Sequence, residues 1–351
     1  MNVRILNYDK DKEEIEKVKQ RSSIDQTQVE DKVKVILNNV KENGNKALID
    51  YAKLFDKVEL DEEDLIVTKE QIKEAYTKLE PNKIIAIKKA LSNITRFAQL
   101  QKPKPFLEEI APGVKCGTLI KPIEKVGCYI PGGNYPLPST TLMTVGPAKV
   151  AGVKEIIVST PPQKNGGANP ATIVAADIAG ATKIFISGGA QALAAMAYGT
   201  RTIPKVNKIV GPGNIYVTAA KKLLYGEVGI DMPAGPSEVV ILASSDSNPK
   251  YIASDMLAQA EHDVVACGLL FTDSMELANK VKQEIIIQTE KLASKEIIKK
   301  SFENYSCIVL VKTVTDVIDF CNDFAPEHLE IIGYDESILD NKSPLRFRSI
   351  N

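Results

Sequence analysis

The sequence predicts an α/β protein with two sheet-based lobes. Three observations carry that prediction. From Gly127 onward, short apolar runs alternate with alanine-rich helical stretches. Gly and Pro turns separate them, as they do between strands and crossover helices of a parallel sheet. The same alternation resumes at Val239 and runs on to Phe324, enough for a second sheet.

The elements follow in order. Lys10 to Phe55 is charged and free of glycine until Gly44, with Val18, Val29, Val33, Val35, Ile36 and Val40 at helical spacing, so it reads as amphipathic helices. Thr68 to Gln101 reads as a further helical stretch. Lys102 to Phe106 is punctuated by two prolines and should cross the surface. Glu155 to Ser159, Lys183 to Ser187 and Lys208 to Val210 read as strands, and Pro170 to Gly180, Ala190 to Tyr198 and Ile215 to Tyr225 as the helices among them. The second series gives strands at Val239 to Ala243, Gly268 to Thr272 and Cys307 to Val311, with a helix from Pro249 to Glu261 and another ending at Phe324.

Composition narrows the function. The 351 residues carry 44 basic and 45 acidic side chains, a formal charge of -1, mixed along the chain. No electrostatic footprint for nucleic acid or an anionic membrane results, and a small-molecule partner is expected. No apolar run approaches the roughly 18 residues of a membrane span, and the first nine residues lack a signal-peptide core, so a cytoplasmic protein is expected. The five cysteines, Cys116, Cys128, Cys267, Cys307 and Cys321, show no CxxC spacing. They read as buried free thiols rather than disulfides or a thiolate zinc site.

Histidine is restricted to His262 and His328, each directly after a glutamate. Gln259 and His262 stand three apart at the end of a predicted helix, hence on one face. They can be two ligands of a divalent ion or a structural histidine beside an amide. Glu327 and His328 follow Pro326, which predicts a turn. Side by side, they can divide acid and base work, or be a solvated corner. The segment from Gly127 to Thr141 is a strand end and a turn ahead of a helix, a place for an anion or nucleotide or simply a tight connection. Gly211 and Gly213 open another helix after a strand, but Tyr216 replaces the third glycine of the dinucleotide fingerprint, so helix and strand should not approach as closely as in the standard fold. Asn214 would still reach a ligand there. Ser237 lacks a nucleophile elbow and reads as a binding hydroxyl or a cap.

Six segments, taken together and in order, resemble the histidinol dehydrogenase family: VGCYIPGGNYPLPSTTLM, ISGGAQALAAMAYGT, KIVGPGNIYVTAAK, IDMPAGPSEVVILA, DMLAQAEHD and NDFAPEHLEII. The resemblance runs from about Ser22 to Tyr334. It implies zinc-dependent, NAD-linked oxidation of L-histidinol through the aldehyde to L-histidine, the last step of histidine biosynthesis, with two hydrides passing to two NAD molecules. On that reading Tyr129, Gln191 and Asn214 line the dinucleotide site, and Ser237 contacts substrate. Gln259 and His262 ligate zinc and hold the substrate. His328, also against the substrate, takes the alcohol proton, and Glu327 activates water for attack on the aldehyde.

The implied fold has two incomplete Rossmann-like domains, an N-terminal helical arm and a small C-terminal domain, assembled as a homodimer. Residues 1–25 would be the arm, 26–127 with 239–351 the first, zinc-bearing domain, and 128–238 the second, NAD-binding one. From about Asn341 the likeness ends, which implies that the C-terminal domain is missing. The family's third zinc ligand would be missing with it, together with the partner's glutamate and histidine. Weak zinc binding and little turnover are the expectation. Two other readings stand beside this one: a related alcohol dehydrogenase of the same fold, acting for example on a sulfonated diol, and a non-catalytic remnant that folds and binds NAD.

Overall fold

The computed structural model describes residues 1–20, 27–132, 137–233 and 238–334. They fall into two compact units, Met1–Ile24 with Gly235–Asn351, and Asp25–Ala234.

Along the chain, β1 (Ile5–Asn7) and α1 (Lys12–Gln20) come first, followed by α2 (Thr27–Asn43), α3 (Asn45–Tyr51) and a π-helical turn, Ala52–Asp56. Val33, Ile36, Leu37 and Val40 bury one stripe of α2, whereas Val35 lies off that stripe and stays 66% exposed. The stretch expected as one helix from Thr68 is two, α4 (Lys69–Thr77) and α5 (Pro81–Gln101). Pro81 has no amide to donate, so it fits at the start of a new helix rather than inside the old one. Next come the hairpin strands β2 (Phe106–Ala111) and β3 (Val114–Thr118), exposed throughout and not anticipated from the sequence. Cys116 on β3 is therefore exposed, contrary to the expectation for all five thiols, while the other four are buried.

The larger unit continues with β4 (Lys125–Tyr129), α6 (Pro138–Ala151), β5 (Glu155–Thr160), α7 (Pro170–Ala179), β6 (Lys183–Ile186), α8 (Gly189–Tyr198), β7 (Lys208–Val210), α9 (Ile215–Leu224) and β8 (Gly229–Ile230). Its five strands are parallel in the order β6-β5-β4-β7-β8. The order reverses between β4 and β7, the switch point where doubly wound sheets open a crevice at the carboxyl ends of their strands. In the other unit, β9 (Glu238–Ala243), α10 (Pro249–Ala260), β10 (Cys267–Thr272), α11 (Met275–Thr289), α12 (Lys295–Asn304), β11 (Cys307–Leu310), α13 (Val314–Phe324) and β12 (His328–Ile332) build a second parallel sheet, β1-β11-β10-β9-β12.

Two boundaries differ from the sequence expectation. Residues 1–24 are more than a helical arm, because β1 pairs with β11, Ile5 opposite Ile308, and completes the second sheet. Residues 26–127 belong with 128–234 rather than with the chain after 239: α2 packs on α8 and α9, α4 on α7, and α5 on α6. The physical reason is a continuous apolar core in which the buried stripe of α2 meets Leu193, Met196 and Val217. Burying that stripe is worth far more than leaving it to water.

Candidate active site

In the smaller unit, the crossover geometry decides where the candidate groups stand. A parallel β9-α10-β10 connection sends α10 back against the strands, so its last turn lies over their amino ends. Glu238 opens β9 there, Cys267 is paired with it, and His328 opens β12 one register step along, opposite Val239. Gln259 in the last turn of α10 and His262 just beyond, whose amide donates to the Gln259 carbonyl at 3.2 Å, reach the same edge. The structure thus brings Gln259, His262, Glu327 and His328 to one edge of one sheet.

His328 is not on a turn, as Pro326 suggests, but is the first residue of a strand. Ala325 closes α13 with a left-handed φ of 50°, the turn ends at Glu327, and the ladder with β9 starts at the next residue. The His328 Nε2 lies 3.8 Å from the Glu327 Oε1, and both side chains are about half exposed. The Glu327 amide donates to the Glu238 carboxylate at 3.4 Å. Gln259 is 7% exposed, and its Nε2 is buried without a hydrogen-bond partner. A desolvated amide in that state is costly unless a bound group completes it. Ser237 lies outside the described residues.

Two carboxyl groups that the sequence did not single out stand behind these residues. Glu330 on β12 is held above the usual carboxylate range, first by burial and then by the neighbouring Asp255 carboxylate, with His328 opposing. Asp255 on α10 is raised by burial, offset by its hydrogen bond with Glu330. Their signal lay in spacing alone: Asp255 is one helical turn before Gln259, and Glu330 is two strand residues after His328.

In the larger unit, Tyr129, Gln191 and Asn214 stand at the carboxyl ends of β4, β6 and β7 respectively. Tyr129 ends β4, 4% exposed, and its hydroxyl accepts from the Gly189 amide at 3.0 Å. Burial pushes its phenol up to about 12, so it stays protonated and can donate to a ligand. Gln191 is buried in the first turn of α8. Asn214 caps α9, its side-chain oxygen accepting from Tyr216 and Val217 amides at 3.1 and 3.2 Å, which leaves its NH2 end for a ligand. Gly211 must be glycine: its φ is 119°, and a Cβ would sit 2.1 Å from the Tyr129 carbonyl oxygen. Tyr216, in the place of the fingerprint's third glycine, is 39% exposed.

An ion pair between buried Lys221 and the partly exposed Asp231 fixes this loop. Lys221 donates to the Gly211 carbonyl and to the Asp231 Oδ1 (2.6 Å), while the Asp231 Oδ2 accepts from the Gly211 amide at 2.8 Å. Gly133 to Pro136 lie outside the described residues. A separate cavity of about 300 Å³, lined by Asp64, Glu74, Lys78 and Gln163 among others, includes none of the candidate residues.

The family model described as histidinol dehydrogenase matches residues 19–342. Histidinol dehydrogenase of Clostridium acetobutylicum is 49% identical over 315 residues, 90% of this chain and 73% of that protein. The Methanocaldococcus jannaschii enzyme is 47% identical over 333 residues, 94% of this chain and 76% of its own. The crystal structure of histidinol dehydrogenase from Elizabethkingia anophelis superposes with a TM-score of 0.87 at 37% identity, over 97% of this chain and 77% of that one.

Proposed function

Because the chain belongs to the histidinol dehydrogenase family, NAD-dependent oxidoreductases that catalyse the final step of histidine biosynthesis, we propose that its acid–base chemistry is carried by Glu327 and His328. The observation behind this assignment is their placement at the head of β12, 3.8 Å apart, on the edge that also holds Gln259 and His262. His328 accepts the hydroxyl proton of L-histidinol as hydride leaves the carbinol carbon for NAD. Glu327 then takes a proton from water as its oxygen adds to the aldehyde, and the hydrate gives up a second hydride to become the carboxylic acid. An imidazole nitrogen can accept the alcohol's proton, and a carboxylate can accept one from water.

Tyr129, Gln191 and Asn214 are the proposed NAD contacts, supported by their position at the switch point and the carboxyl strand ends of the larger unit. Ser237 is a proposed substrate contact. For zinc, the Gln259 Oε1 and the His262 imidazole are two candidate ligands, while the partnerless Gln259 Nε2 is a hydrogen-bond donor that an acceptor on a bound substrate would complete. Among the described residues no cluster of three or more His, Cys, Asp or Glu groups could complete the shell. A zinc ion held there would orient the substrate. A second copy of this chain is the proposed partner, as the family resemblance implies. Among the described residues no helix is long and apolar enough to cross a membrane, and a cytoplasmic setting is proposed from the biosynthetic role of the family.

The test is NADH formation from L-histidinol and, separately, from L-histidinal. His328→Asn should slow the first oxidation by roughly 10²- to 10⁴-fold. Glu327→Gln should spare oxidation of the alcohol and slow that of the aldehyde. An unchanged histidinol rate in His328→Asn refutes the assignment.

A further inference from the structure

Side chains alternate along β12, and the packing shows which way each points. Ile332 joins the core with Ile252, Ala253, Met256 and Leu257 of α10, whereas Leu329 joins Phe271 and Phe320 on the other side of the sheet. His328 and Glu330 share the face of Ile332 and therefore look toward α10. Asp255 meets Glu330 from that helix, and the two carboxyl groups are hydrogen-bonded. Two carboxylates cannot donate to one another, so the contact requires a proton. On the same face, β9 contributes Val239, Ile241 and Ala243, and among the described residues no further strand pairs with β12. The one cationisable group acting on Glu330 is His328.

We propose that Asp255 and Glu330 share a single proton and act as a one-charge unit that stabilises the His328 imidazolium formed when His328 takes the substrate proton. The inference rests on the reading of His328 as the base. Residues two apart on a strand have Cα atoms about 6–7 Å apart, so the influence is through space. His328 is more than half exposed, and water screens it, which leaves an expected shift of about half a pH unit in its titration.

The experiment exploits the presence of only two histidines. Imidazole NMR titration of the full chain, with His262→Gln to assign the signals, reads His328 without requiring turnover. Glu330→Gln keeps the hydrogen bond and leaves the lone charge on Asp255, so the His328 midpoint should stay within about 0.2 pH units of the parent. The double variant Asp255→Asn, Glu330→Gln removes the charge and should lower that midpoint by about half a unit. A partial fall in Glu330→Gln would mean two charges in the parent, and a fall equal to that in the double variant would place the whole charge on Glu330; either would overturn the shared proton. No shift in either variant would overturn the electrostatic role. Should the NMR midpoint move while the pH profile of histidinol oxidation does not, the pair stands and the assignment of His328 as base fails.

Discussion

Replacing Lys221 by methionine tests the idea that an ion pair holds the loop ahead of Asn214. The substitution keeps the buried stem of a side chain that is only 3% exposed and removes the ammonium. Three partners are affected: the Gly211 carbonyl, the Asp231 carboxylate and, through Asp231, the Gly211 amide. Breaking a fully buried pair by deleting one partner costs roughly 3–5 kcal/mol. Asp231 is 29% exposed and can recover some hydration, so about 2–3 kcal/mol is the expected loss. In a unit of roughly 200 residues that corresponds to a fall of about 4–12 °C in melting temperature, measured by calorimetry or circular dichroism. The double variant Lys221→Met, Asp231→Asn should recover about 1 kcal/mol of the loss, since no charge is then left unpaired. NAD affinity should fall in Lys221→Met with the loop displaced. A single variant within about 0.5 kcal/mol of the parent would refute the clamp.

Other outcomes follow from the same structure. Burial pushes the Asp56 carboxyl up to about 6. Its folded pKa lies above its unfolded one, so its contribution is present in acid and lost as pH rises through about 6; Asp56→Asn should flatten the decline in melting temperature between pH 4 and 7. Asn214→Ala leaves two amides of α9 without their acceptor and should cost about 1 kcal/mol in urea unfolding, with weaker NAD binding in equilibrium dialysis. Burial pushes the Cys128, Cys307 and Cys321 thiols up to about 12, and Cys267 is also buried. One thiol, Cys116, should therefore react promptly with a maleimide in the native protein, and Cys116→Ser should abolish that signal; two or more fast thiols would contradict the packing.

The sequence made legible those elements whose burial is complete. β5, β9 and β10 are rich in apolar residues because both faces of a central parallel strand are covered, and the alanine-rich helices among them are as plain. What it concealed lies at edges. In β12, polar His328 and Glu330 alternate with Leu329 and Ile331, and five residues beside a proline look like a turn until the register with β9 is seen. β1 is three residues long, and the hairpin of β2 and β3 buries nothing, so neither leaves a hydrophobic signature. The candidate site divides the same way. Gln259, His262, Glu327 and His328 were visible as chemistry, but the meeting of Asp255 with Glu330, 75 positions apart in the chain, depends on the crossover that lays α10 over β9 and on the pairing of β12 with β9. The grouping of residues 26–127 was lost for a related reason: an amphipathic stripe says that a helix must pack, not on which sheet.

The pairing of β1 with β11 has a consequence for biosynthesis. The strand leaves the ribosome about 300 residues before its partner, which at roughly 5–20 residues per second is a delay of about 15–60 seconds. During that interval Asp25–Ala234 can complete its own core, whereas Val3 and Leu6, both buried in the finished sheet, have nothing to cover them. The early product is thus a folded insert carrying an unpaired apolar leader. A circular permutant that delivers residues 1–24 after β12 would remove the wait, and the nascent chain would hold no orphan strand while the larger unit forms.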